Sequence, residues 1–165
     1  MNGNFYLYLL KAGTSMIIRR ISKEILEQTP YEEWNAYIDL LAMEAYSDLN
    51  LIQRVAHLCF WYDSEVQNGG HIQYFENQGT AKVDETIFAL KTVGAMEQAE
   101  LLDKAYGRYS SKFRRELKDI FEFVAASREG EYASFDSQYY ECNPRVIDLL
   151  EDYYVLHKVN FVAVI

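Results

Sequence analysis

Apolar residues recur at helical spacing from residue 16 to the end of the chain, broken only by brief turn signals, and no convincing alternating strand pattern interrupts them. Ile18, Ile21 and Ile25 predict a first helix; Thr29-Pro30 ends it and sets Pro30 near the first turn of a second. Trp34, Ile38 and Leu41 give that second helix its inner face. Asp48 is the candidate N-cap of a longer helix in which Leu51, Ile52, Val55, Leu58, Cys59 and Tyr62 share a side. Phe60 and Trp61 make this helix apolar nearly all round, which predicts a central position. Asn68-Gly69-Gly70 should close it, because glycine enters the left-handed region without a Cβ clash.

A short helical turn is expected over 71–77. Val83, Ile87 and Leu90 then predict a helix ended by Gly94, and Ala95, Ala99, Leu102 and Tyr106 predict its partner. Phe113, Leu117, Ile120 and Val124 repeat the spacing after Ser110-Ser111, so two antiparallel hairpins are the natural packing. Beyond Gly130 a less regular stretch leads to Asn143-Pro144, which reads as an N-cap and a first-turn proline. The last helix carries Val146, Leu149, Leu150, Tyr153 and Leu156 inward. The expected fold class is all-α: a compact single-domain array of about seven or eight helices over residues 16–165. Residues 1–15 are expected to form a loosely attached extension, and its apolar run Phe5 to Leu10 is far below the roughly 20 residues a bilayer span needs.

Charge changes the picture of partners. Sixteen Lys and Arg face twenty-five Asp and Glu, a formal charge of −9. That balance disfavours direct binding to nucleic acid or to an anionic membrane and favours a basic protein, although acidity also serves solubility alone. Cys59 and Cys142 lack CxxC spacing, so a reducing, cytoplasmic setting is the simpler expectation.

Catalytic chemistry finds little support. His57, His71 and His157 sit in no metal-ligand spacing, and His57 and Cys59 point to different sides of a helix. Glu97 with Glu100, and Asp148 with Glu151 and Asp152, share helical faces that should meet water. No phosphate loop or nucleophile elbow is present. Neither a cofactor nor a metal is therefore expected, and the enzymatic alternative is confined to the Asn68–Asn77 turn with a nearby histidine.

That turn reads first as architecture. Asn68 can bond neighbouring backbone, Gly69 and Gly70 supply unusual φ, and Tyr74 with Phe75 re-enter the core. Gln73 and Asn77 lie four apart on one face, with their amides turned either to the chain doubling back or to a ligand. The run Glu65-Val66-Gln67-Asn68-Gly69-Gly70-His71-Ile72-Gln73-Tyr74-Phe75-Glu76-Asn77, with IFALKTVGAMEQAELLDKA from Ile87 to Ala105, resembles the acidic helical domain named after the bacterial DNA-mimic proteins. The specificity lies in Asn68, Gly69 and Gly70 combined with Gln73, Tyr74, Phe75, Asn77 and Gly94. His71 departs from the pattern, which more often has an apolar residue there.

The resemblance implies a non-enzymatic regulator that occupies the basic surface of a DNA-binding protein, a helix-turn-helix repressor or a nucleoid protein. An immunity-type inhibitor of a basic toxin nuclease is the related alternative, and a homodimer is compatible with either. The candidate partner-binding acids are Asp119, Glu122, Glu129, Glu131, Asp136, Glu141, Asp148, Glu151 and Asp152, with a further search area at Asp63, Glu65, Glu76, Asp84, Glu85, Glu97, Glu100 and Asp103. Between residues 108 and 118 the balance reverses, with Arg108, Lys112, Arg114, Arg115 and Lys118 against Glu116.

Overall fold

The computed structural model describes residues 16–165; the expected extension at 1–15 lies outside the described residues. Eight α-helices and one small sheet make up the described chain: β1 (Arg19–Ile21), α1 (Lys23–Gln28), α2 (Glu32–Met43), α3 (Leu51–Gln78), α4 (Val83–Val93), α5 (Met96–Ser110), α6 (Ile120–Arg128), α7 (Ala133–Glu141), α8 (Val146–His157) and β2 (Val162–Val164). The helices group into two compact units, residues 16–57 with Glu151–Ile165, and Leu58–Leu150.

In the first unit, the expectation of helix alone fails at the edges. Ile18 and Ile21 belong to an extended segment, and β1 pairs in parallel with β2 in the register Arg19 to Val162 and Ile21 to Val164. Two β-branched valines in VAV supply the partner, and a three-residue strand is too short to show alternation. Gln53 holds the ends together. Its fully buried amide nitrogen donates to the carbonyls of Ile17 (2.6 Å) and Asn160 (2.7 Å).

The cap of α3 is Asn50, not Asp48, which sits in a short 3-10 turn. Asn50 Oδ1 accepts the Gln53 N–H while Gln53 Oε1 accepts the Asn50 N–H, a reciprocal box that satisfies two otherwise unbonded donors. Tyr37, Leu40 and Leu41 form the buried side of α2, so its inward face is turned from the predicted Trp34 and Ile38. The Tyr37 ring packs on Phe161 and Tyr154 at 4.8 and 4.6 Å between centroids.

In the second unit, α3 breaks where the glycines predict. Gly69 (φ −153°, ψ 21°) and Gly70 (φ 75°, ψ −176°) leave the helical region, and the helix resumes at His71. Gly94, at φ 94°, ends α4, and its successor Ala95 donates to Leu90 O at 2.8 Å, so α4 and α5 form the expected hairpin.

The second expected hairpin does not form. Residues 112–118 are non-helical, α6 begins only at Ile120, and none of its residues is buried. Asp119 stops further unwinding by accepting the N–H groups of Phe121 and Glu122, both at 2.9 Å. The stretch expected to be irregular after Gly130 contains α7. The last helix starts at Val146 rather than at Pro144, and Leu156, expected inside, is exposed.

Candidate functional site

The Asn68–Asn77 turn spends its polar groups on itself. Beyond the kink, Gln73 and Asn77 reach back one helical segment, and both amide nitrogens donate to Glu65 Oε2 at 2.8 Å. Gln78 donates to Glu65 Oε1 at 3.0 Å, so a buried carboxylate is held by three neutral donors. Asn68 Nδ2 donates to Gln73 Oε1 at 3.1 Å, which fixes the amide orientation. Tyr74 and Phe75 are both buried, as the one-residue spacing predicts.

His71 is wholly buried and takes the same structural role. Its backbone N–H donates to Asp136 Oδ1 at 2.9 Å, its Nδ1 lies 2.6 Å from the same oxygen, and its Nε2 lies 2.9 Å from Tyr62 Oη. The departure at His71 is thereby matched by a carboxylate from α7, sixty-five residues away. A Cβ on Gly70 would stand 2.5 Å from Asp136 Oδ2, so glycine is required both for positive φ and for this close approach. The small cavity beside Asp136, lined by Ile72, Ala126 and Gly130, does not reach an open imidazole.

Other ionisable groups in this unit are tuned by burial. Desolvation raises the Asp63 carboxyl above its ordinary range even though Tyr139 Oη donates to it at 2.5 Å. Burial and the nearby Glu97 push the Cys142 thiol up to about 11, which keeps it protonated and poorly nucleophilic at neutral pH. Asp63 and Glu65 are therefore interior groups and leave the search area for an acidic surface.

Five of the nine candidate acids have work within the fold. Asp119 caps α6, Asp136 clamps His71, and Asp148 forms a two-point contact with Arg145 at 2.6 and 2.9 Å. Glu122 pairs with Arg115 at 3.3 Å and accepts the Lys118 N–H. Glu131, whose side chain is 12% exposed, meets both terminal nitrogens of the Arg114 guanidinium at 2.6 and 2.5 Å and Lys112 at 3.3 Å. That guanidinium holds its carboxyl below the usual range.

Glu129, Glu141, Glu151 and Asp152 are exposed and carry no ion pair among the described residues. In the second unit Glu141 joins acids from the wider search area. Glu97 and Glu100 on α5 and Glu141 on α7 line an open groove with Leu101, Lys104, Gln138 and Cys142. Glu97, Glu100 and Asp103 follow each other three apart, which sets their Cβ atoms roughly 5–6 Å from one another along the helix. Lys104 lies 3.7 Å from Glu100 and offsets part of that charge.

Sequence reasoning identified the amides of the turn but missed their acceptor. The available signal for Glu65 was three side-chain amides, Gln73, Asn77 and Gln78, crowded just after the glycine break. Asp136 gave no signal, because only the tertiary fold brings α7 to the kink.

An acidic, all-helical protein whose signature turn is consumed in bracing a helix break is thus the class defined by fold and site. The family model for DMP19-like protein matches residues 47–158, and the chain belongs to that family of DNA mimics. No curated protein and no solved structure matches it. Family membership implies DNA mimicry and, at the level of the family, a non-enzymatic role with a DNA-binding protein as partner. Among the described residues no helix is long and apolar enough to cross a membrane.

Proposed function

We propose that the chain occupies the DNA-binding surface of a basic partner, a helix-turn-helix repressor or a nucleoid protein, and so releases that partner from DNA. The observation that carries this reading is membership of the DMP19-like family in a chain of charge −9. Carboxylates at helical spacing meet the Lys and Arg side chains that otherwise contact phosphates, and attraction of this kind is generic in sequence but strong at low salt.

Glu97, Glu100, Asp103 and Glu141 are the acids we assign to this role, with Glu129, Glu151 and Asp152 as further exposed candidates. Asp119, which caps α6, and the acids bound to Arg114, Arg115, Arg145 and His71 serve the fold instead. The test is competition: the partner recovered at low salt is bound to labelled operator duplex, and the chain is titrated in. Displacement of the duplex, lost at high salt and weakened on the order of tenfold or more by combined Glu97→Gln, Glu100→Gln and Glu141→Gln, is the expected result. A ternary complex that leaves the duplex bound would sink the reading.

A further inference from the structure

The region from 112 to 128 has a character opposite to the rest of the chain. Phe113 is 94% exposed, Phe121 81% and Ile120 65%, and Val124 is exposed as well. At about 100° per residue, Ile120, Phe121, Val124 and Arg128 fall within about 100° of helix α6, while Glu122 and Glu129 fall on the other side. The result is an apolar stripe with Lys118 just before it and Arg128 at its end. Both of these cations are exposed, and neither has an ion pair among the described residues.

The stripe is held in place rather than left loose. Asp119 caps α6, Glu122 accepts the Lys118 N–H at 2.8 Å and pairs with Arg115, and Arg114 is fixed by Glu131 and stacks over the Tyr109 ring at 4.9 Å. Large aromatic side chains kept in water on a braced segment cost solvation and serve as anchors when a partner covers them.

We propose that Ile120, Phe121 and Val124, framed by Lys118 and Arg128, form a docking surface for an acidic amphipathic helix of a partner protein. Charge selects this occupant. A helix with an apolar stripe and carboxylates roughly 15 Å apart, about ten residues, would bury Ile120, Phe121 and Val124 and meet both cations. A basic helix suited to the Glu97–Glu141 groove would be repelled here. The proposal stands apart from DNA mimicry, since it concerns a different face and the opposite charge.

Two synthetic helical peptides with the same leucine stripe, one flanked by glutamates and one by lysines, are titrated against the full chain by fluorescence anisotropy. The glutamate peptide should bind about tenfold or more tightly than the lysine peptide. Phe121→Ser with Ile120→Ser should abolish that binding. Lys118→Glu with Arg128→Glu should reverse the preference, and Glu97→Gln with Glu100→Gln should leave it unchanged. Equal binding of the two peptides, insensitivity to Phe121→Ser, or preference for phosphatidylglycerol vesicles would overturn the proposal. So would a concentration-dependent self-association that Phe121→Ser disperses, since a second copy would then be the occupant.

Discussion

The kink in α3 at Gly70 and the Glu65 carboxylate that braces it each make a separate prediction. Gly70→Ala forces a Cβ into positive φ and against Asp136 Oδ2, so a loss of about 2 kcal/mol or more in urea unfolding is expected. Glu65→Gln places an NH₂ group among three amide donors and should cost about 1–3 kcal/mol, with far-ultraviolet dichroism retained. Asp63 and Glu131 give opposite pH dependence. Asp63 is harder to ionise in the folded chain than in the unfolded one, so its contribution falls as pH rises through the raised folded value. Glu131 is easier to ionise when folded, so its contribution is present above the ordinary carboxylate range and is lost as pH falls through the lowered value. Thermal unfolding followed between about pH 3 and pH 7 should show a shallower acid limb for Glu131→Gln and a steeper one for Asp63→Asn.

At the scale of elements, stability is unevenly distributed within each unit. Gln53 joins the start of α3 to the segments that precede β1 and β2. Gln53→Leu leaves two carbonyls and the Asn50 N–H without their partner and should cost about 2–4 kcal/mol, read as a lower urea midpoint. Helix α6 buries no residue, and its amides should exchange with solvent faster than those of α5, where Ala99, Leu101, Leu102 and Ala105 are buried. Slow exchange across 120–128 in the isolated chain would contradict this description.

At the scale of the molecule, the net charge of −9 describes the chain less well than the distribution of partners for each acid. Arg114, Arg115, Arg145 and Arg19 already neutralise carboxylates, with Arg19 bridging Asp39 and Glu44 at 2.7 Å each. Salt should therefore weaken association with a basic partner through the exposed groove acids, while the Arg114–Glu131 pair, largely shielded from water, responds far less. Replacement of Glu129 alone should change affinity little, and replacement of Glu97, Glu100 and Glu141 together should lower the salt slope measured by anisotropy.

Sequence by itself determined the all-helical class, the break at Gly69-Gly70, the stop at Gly94 and the family, because helical periodicity and glycine conformation are local properties. It also indicated that the Gln73 and Asn77 amides act together, since residues four apart share a helical face. Only the tertiary structure decided the parallel pairing of β1 with β2, the Asp136 clamp on His71 and the exposure of Phe113, Ile120, Phe121 and Val124. Short strands lack room for a readable period, a long-range acceptor leaves no trace near its donor, and an apolar stripe at helical spacing looks the same whether a neighbour covers it or water does.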